Sequence, residues 1–356
     1  MRSERSSCGC GAGTCCSPSP QVRKDSGTGN PCCQPGQGAN IPLVSSRLAF
    51  RDRLGTWMAR WGIGRNRYRV APGLYGLGRP DADSPVLVTA NYKMTFDYVR
   101  SRISGLNAWL LVLDTRGINV WCAAGKGTFG TEELCSRIRS VNLEQTVRHR
   151  RLVLPQLGAP GVAAHEVLKK TGFRVLYGPV DAADIPAFIS NGFRATAAMR
   201  SVPFGLKQRL PLIPMEFIPA LRLVPFFVAW VAVLFWAHRL PWDSGFWIRL
   251  IPYLAALLAG SVLFQILLPW LPFRSFSLNG WLLGIAVAAG FILAAPGPLA
   301  SSIGLLFLLP PITAYLSLNF TGATTFTNLS GVKKELRLGL PAIILSLAAG
   351  VFLSLL

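Results

Sequence analysis

Five apolar stretches crowd into the last 146 of the 356 residues. Each approaches the roughly 20 residues that a helix needs to cross a bilayer. They run from Ile218 to Ala237, Leu250 to Trp270, Ser277 to Leu293, Leu299 to Leu318 and Leu338 to Leu356. Pro269 and Pro272 close the second, and the stretch from Pro296 to Pro298 separates the third from the fourth. Pro310 and Pro311 fall inside the fourth and predict a kink there. The only charge within these limits is Arg222, near the start of the first, where a long side chain reaches the interface. With no ionisable group near the middle of any span, an ion relay of the usual kind is not built and an anchor is the reading.

The rest of the chain has the opposite character. Residues 1–210 hold 29 Lys+Arg and 13 Asp+Glu, a net of +16 out of the chain's +20. A mean hydropathy of +0.40 and 51% hydrophobic residues argue against a purely soluble enzyme and against a disordered chain. Nucleic acid is the usual partner of so basic a segment. Anionic phospholipid beside a membrane anchor accounts for the charge with fewer assumptions, and nucleic acid is set aside.

Loop charges orient the spans. With the large amino-terminal half in the cytoplasm, Arg274 and then Lys333, Lys334 and Arg337 share its side, while Arg239 and Arg249 face the other. No apolar run lies between Met1 and Asn40, so the expectation is a multi-pass protein of the cytoplasmic (inner) membrane with its soluble domain inside, where thiols stay reduced. Residues 1–42 read as a disordered tail rich in Gly, Ser and Pro, yet Cys8, Cys10, Cys15, Cys16, Cys32 and Cys33 lie there. Their spacing fits no zinc finger, and adjacent thiolates suit a soft, two-coordinate ion.

Residues 43–210 form the expected soluble domain and residues 211–356 an all-α transmembrane domain of about five helices. Strands are expected at Val86–Thr89, Trp109–Asp114, Leu152–Leu154 and Arg174–Leu176, with a further short one at Ile118–Trp121. Helices are expected at Thr131–Val141, with Thr131 as N-cap and Glu132 and Glu133 in the first turn, and at Gly161–Thr171, closed by Gly172. Asp184 and Pro186 open another. The alternation is that of an α/β fold. A G-x-G-x-x-G fingerprint and a P-loop are both missing, which argues against a nucleotide enzyme.

The densest chemistry is the run Asn119-Val120-Trp121-Cys122-Ala123-Ala124-Gly125-Lys126-Gly127-Thr128. A cysteine follows a strand and enters a turn of small residues, which lets a large flat ligand approach the backbone. A nearby helix N-terminus and Lys126 place positive charge beside the Cys122 sulfur. That chemistry suits a reactive or metal-ligating sulfur.

The run N-V-W-C-A-A-G-K, Asn119 to Lys126, resembles the signature of the HgcA family, the corrinoid proteins of mercury methylation. So do its continuation G-T-F-G-T-E-E-L at Gly127–Leu134, V-T-A-N-Y-K-M-T-F-D at Val88–Asp97, and H-R-R-L-V-L-P-Q-L-G-A-P-G-V at His149–Val162. The resemblance covers about Pro72 to Leu356 and implies a corrinoid-binding, Rossmann-like or barrel-like domain, similar to the corrinoid iron–sulfur protein of the acetyl-CoA pathway, before the five spans. It implies a base-off cobalamin-type corrinoid with Cys122 as the lower axial ligand of cobalt and the catalytic residue. It further implies methyl transfer to Hg(II), a separate HgcB-type ferredoxin with two [4Fe–4S] clusters as electron donor, and a methyltetrahydrofolate-type methyl donor acting through another methyltransferase.

Further cofactor-binding candidates follow. Thr89, Asn91 and Thr95 stand where a strand ends, the place where α/β sheets put ligands. Asn119 and Trp121 hold the motif turn and shield cobalt, with Val120 between them in the cofactor-binding run. Gly125, Gly127 and Thr128 face the corrin or its phosphate-bearing tail, and Ala123, Ala124 and Lys126 complete the cofactor-binding run. Cys135 and His165 read as ordinary helix residues. Two other functions compete: a corrinoid methyl carrier of one-carbon metabolism, and a heavy-metal-binding membrane protein that uses the tail cysteines.

Overall fold

The structure, a computed structural model, describes residues 41–320 and 329–356, with side chains described from Gly331 onward in the second segment. The six tail cysteines, and the soft-metal reading built on them, lie outside the described residues.

Two strands buried along their whole length, β3 (Val86–Ala90) and β4 (Ala108–Leu113), form the centre of a six-stranded sheet. Continuous apolar runs of this kind fit strands covered on both faces. β1 (Leu43–Val44), β2 (Gly73–Leu77), β5 (Arg151–Leu154) and β6 (Arg174–Tyr177) complete the order β1-β2-β4-β3-β5-β6. β4, β3, β5 and β6 run parallel, and β2 is antiparallel to β4. The sheet is open with β1 and β6 at its edges, so the Rossmann-like expectation holds and the barrel-like one does not. Because β3 connects to β4 on one side and the chain then returns to β5 on the other, the order reverses between β3 and β5, and a crevice opens there at the strands' carboxyl ends.

The helices are α1 (Phe50–Arg60), α2 (Lys93–Arg102), α3 (Val120–Gly125), α4 (Thr131–Ser140), α5 (Leu143–Thr146), α6 (Ala164–Thr171) and α7 (Ile185–Ser190). The core on one sheet face gathers Leu111, Leu113, Phe129, Leu134, Leu152 and Phe173; the other gathers Phe96, Ile103, Leu110, Val112 and Phe188.

Several local expectations are corrected. Ile118–Trp121 forms no strand: the Asn119 side chain caps a helix beginning at Val120, and a cap outweighs the extended preference of Ile118 and Val120. Gly130, not Thr131, is the N-cap of α4, while the Thr131 hydroxyl accepts from the Ala163 N–H at 2.9 Å. The helix expected from Gly161 starts at Ala164, because a 3₁₀ stretch over Gln156–Gly161 that contains Pro160 precedes it. Gly172 does close that helix, at φ +73°. Thr95 belongs to the first turn of α2 rather than to a strand end.

Five helices are long and apolar enough to cross a membrane: Leu206–Ala237, Gly245–Trp270, Phe276–Ala294, Leu299–Asn319 and Gly331–Leu355. The first and fifth begin earlier than their apolar runs and take in Lys207, Arg209 and Glu216, and Lys333, Lys334, Glu335 and Arg337. The buried Arg209 guanidinium donates to the carbonyls of Gln265 and Ile266, at 2.6 and 2.9 Å, near the end of the second helix. The fourth helix continues through Pro310 and Pro311. This helix packs on glycines of the third: a Cβ on Gly284 would sit 2.3 Å from the Pro310 Cα, and one on Gly280 2.5 Å from the Ala314 Cα. Small residues four apart allow this backbone approach where lipid offers no hydrophobic drive. Trp236, Trp242, Trp247 and Trp270 are exposed near the helix ends, as in the aromatic belts of spanning proteins.

Candidate functional site

The loop after β4 is built by Asn91. Its Oδ1 accepts from the Thr115 N–H and hydroxyl and from the Gly117 N–H, and its Nδ2 donates to Asp114 at 2.9 Å. Both ends of this amide are committed to the loop, so Asn91 shapes the approach to the motif and is not among the cavity-lining residues.

From that loop the chain enters α3. The Asn119 Oδ1 accepts from the Cys122 N–H at 3.0 Å, which sets the first turn and leaves the Cys122 side chain exposed. Val120, Ala123 and Ala124 are buried against the sheet. The Ala123 carbonyl then accepts from both the Thr128 and Phe129 N–H groups, folding the chain back after a left-handed Gly127 at φ +77°. Gly125, Lys126 and Gly127 are exposed, and a Cβ on either glycine would meet open space.

Behind this turn the 3₁₀ segment acts as a mould. A Cβ on Gly161 would lie 2.1 Å from the Phe129 carbonyl and 3.0 Å from the Ala124 Cα; one on Gly158 would lie 2.6 Å from the Phe129 ring. Both glycines lie within the family-like stretch, where the sequence reading gives Gly158 no role and Gly161 only a helix start. Their signal, glycine where no turn is needed, reads as close backbone approach.

A cavity of about 250 Å³ opens at the β3–β5 reversal. Thr89, Thr95, Asn119, Val120 and Trp121 of the predicted set line it, while Cys122 and Ala123 to Thr128 do not. Tyr98, Leu154, Pro155, Leu157, Pro179 and Ile185, none of them predicted, complete its mostly apolar wall. Thr89 is 1% exposed, and its hydroxyl has no hydrogen-bond partner. A buried polar atom of that kind costs free energy unless a ligand or water meets it. Tyr98 donates to Asp181 at 2.8 Å, and burial together with that carboxylate pushes its phenol up from the usual value.

Cys135 is buried in the α4 core, where burial pushes its thiol up. His149 bonds the Ser84 carbonyl and accepts from the Arg151 N–H, a structural role, and His165 is exposed. Among the described residues no group of three or more His, Cys, Asp or Glu converges to hold a metal ion.

Residues 64–189 match the family of the CO dehydrogenase/acetyl-CoA synthase delta subunit. The chain is 36% identical over 127 residues to the acetyl-CoA decarbonylase/synthase complex subunit gamma of Methanopyrus kandleri, covering 35% of this chain and 27% of that one. It is 34% identical over 131 residues to the same subunit of Archaeoglobus fulgidus, covering 36% and 27%. It is 33% identical over 122 residues to the corrinoid/iron-sulfur protein large subunit of Moorella thermoacetica, covering 34% and 27%. The chain thus spans about a quarter of the length of these curated relatives. The family match stops short of the first apolar helix, so it is the α/β half that is similar to a corrinoid iron–sulfur protein type of domain.

Proposed function

We propose that the chain is a membrane-held corrinoid protein that carries a methyl group and transfers it to Hg(II), with Cys122 as the lower axial ligand of cobalt. The observation that carries this reading is the exposed Cys122 on the turn capped by Asn119, beside a crevice that holds an unsatisfied Thr89 hydroxyl. The residues present fit the group. Gly125 and Gly127 leave open space for a flat macrocycle next to the thiol. The cavity, at about 250 Å³, is smaller than the roughly 300–1,000 Å³ that enclose a whole drug-sized ligand, so it suits one arm of a larger molecule.

When bound, a corrinoid held by the Cys122 thiolate would supply a methyl group, and the electron-rich sulfur would favour its transfer to an electrophile such as Hg(II). The chain's own residues prepare for it. Asn119 fixes the turn and thereby the sulfur; Ala123 and Ala124 lock the turn to the sheet; Thr89 offers one hydroxyl to an arm in the crevice; Trp121, half out of the surface, limits water beside the sulfur. Reduction between cycles falls to a partner of the HgcB type, a ferredoxin with two [4Fe–4S] clusters. The methyl donor is of the methyltetrahydrofolate type, acting through another methyltransferase. The spans hold the soluble half at the cytoplasmic face, and the tail cysteines collect Hg(II) by thiolate exchange.

A second reading, a methyl carrier of one-carbon metabolism, is favoured by the names of the relatives, which belong to acetyl-CoA chemistry. One experiment separates the two. The reconstituted full-length protein is methylated and offered Hg(II) or an acetyl-CoA synthase acceptor. Methylmercury as the main product supports the first reading; transfer only to the second acceptor overturns it. Cys122→Ala should abolish transfer and change the visible spectrum of the corrinoid. An unchanged spectrum removes the ligand assignment.

A further inference from the structure

Helix α1 packs on the soluble domain by one face only. Asp52 pairs with Lys93 and Arg100 at 2.6 and 2.8 Å, Gly55 lies against the Tyr68 ring, and Ala59 is buried. Positions 52, 55, 56 and 59 repeat at helical spacing, and at about 100° per residue they share one side. On the opposite side stand Phe50, Leu54, Trp57 and Trp61, spaced i, i+4, i+7 and i+11. Phe50 is 76%, Trp57 56% and Leu54 42% exposed, and the Trp57 and Trp61 rings lie 5.7 Å apart. A soluble helix does not ordinarily show water an aromatic stripe of this length.

Arginines flank the stripe. The same helical spacing puts Arg53 and Arg60 along one border and Arg51 along the other. Residues 41–70 contain seven arginines, Asp52 as the only acid, and no lysine. Among the described residues none of the seven arginines is in an ion pair, while Asp52 is turned inward. Arg65, just beyond α1, lies within electrostatic reach of Glu216 in the first apolar helix.

We propose that α1 is an interfacial helix: Phe50, Leu54, Trp57 and Trp61 enter the headgroup layer of the bilayer that the five helices cross, and the flanking arginines meet anionic lipid phosphates. The proposal rests on the reading of those helices as spans. An amphipathic helix with aromatic and leucine residues on one face and arginines beside them lies in this layer, held by apolar area and by attraction to anionic headgroups. A protein partner is disfavoured because the stripe is bordered by cation on both sides without an acid, which matches an anionic lipid surface. The function of such a helix is orientation. Five spans fix the soluble domain to the membrane through one connection, and a second attachment at α1 holds the Cys122 face at a set angle to the bilayer.

The test uses full-length protein in nanodiscs of phosphatidylcholine mixed equally with phosphatidylglycerol, or of phosphatidylcholine alone. Subtracting the fluorescence of Trp57→Phe isolates the Trp57 signal. In the anionic discs that signal should be quenched by lipids brominated high in the acyl chain and shielded at least threefold from aqueous acrylamide. The triple variant Arg51→Glu, Arg53→Glu, Arg60→Glu and the uncharged discs should each lose at least half of the lipid quenching. Trp57 open to acrylamide and untouched by brominated lipid overturns the proposal, as does shielding that appears only when a partner protein is added. Equal quenching in charged and uncharged discs overturns the role of the arginines. Failure of the chain to enter the discs at all overturns the spans and this helix together, which distinguishes the two.

Discussion

The Cys122 N–H donates to the Asn119 Oδ1 at 3.0 Å, so the first residue of the motif is the cap that presents its cysteine. A helix of six residues has little cooperativity of its own, and the cap contributes a large part of what holds it. Asn119→Ala should lower the unfolding free energy by about 1 kcal/mol and weaken corrinoid binding, while Asn119→Asp or Asn119→Ser, which also cap, keep both. Chemical denaturation and a corrinoid titration check this. An alanine variant with unaltered binding would show that the cap does not position the sulfur.

Thr89 separates ligand binding from folding. Its hydroxyl is buried without a partner, so Thr89→Val removes an unmet polar atom at nearly constant shape. Stability should hold or rise by up to about 1 kcal/mol, while corrinoid affinity falls by roughly tenfold as one ligand hydrogen bond is lost. Paired thermal melts with and without corrinoid read both effects. A variant destabilised without ligand would mean that the hydroxyl already has a structural partner.

Gly161 tests the mould behind the motif. A methyl group there would sit 2.1 Å from the Phe129 carbonyl, against backbone that has no side-chain freedom to yield. Gly161→Ala should cost about 2 kcal/mol or more and displace the turn that carries Cys122. Hydrogen exchange should show faster opening of residues 120–130 than in the wild type. Wild-type exchange would remove the positioning role of the glycine.

The α1–α2 ion cluster predicts a pH dependence. Burial disfavours the charge on Asp52, yet hydrogen bonds from Lys93, Arg100 and the Ala49 N–H outweigh it and bring its carboxyl from 3.8 to about 2. A lowered folded-state value stabilises above the unfolded value and is lost as pH falls through about 2. The shift corresponds to about 2 kcal/mol, fully present from about pH 5 upward. Asp52→Asn should therefore be less stable than wild type at neutral pH by at least that much, with the gap narrowing between pH 4 and pH 2. A gap that stays constant over that range would place the effect elsewhere than in the carboxylate.

In the membrane half, Gly284→Leu should separate the third and fourth helices, because its side chain would meet the Pro310 backbone at 2.3 Å from Cβ. Detergent-solubilised variant protein should aggregate or lose thermal stability, while the corrinoid titration of the same protein stays near wild type. Loss of corrinoid binding in step with the membrane defect would show that the two halves fold as one cooperative unit.

The central strands Val86–Ala90 and Ala108–Leu113 were legible because parallel strands covered on both faces read as continuous apolar runs, Arg151–Leu154 and Arg174–Tyr177 by their short apolar runs, and Gly172 because a left-handed helix end favours glycine. The five apolar helices were legible for a similar reason, since a bilayer leaves few other sequences that satisfy the backbone. The strand expected over Ile118–Trp121 fails because Ile118 and Val120 favour extended chain and a single side-chain cap at Asn119 decides otherwise. The α1 stripe went unread, although its spacing is periodic, because its apolar residues point away from the core and only burial shows that.

Sequence alone determined the residue types and spacing of the motif around Cys122 and which half holds helices long and apolar enough to cross a membrane, since both follow from local composition and spacing. Tertiary structure decided how they are used. Thr89 and Trp121 share a crevice because the strand order reverses between β3 and β5, and Asn91 lies outside its lining because its amide bonds a loop more than twenty residues away in the chain. Gly161 matters because two backbones nearly touch there. Each of these depends on residues distant in sequence meeting in space, which no local pattern encodes.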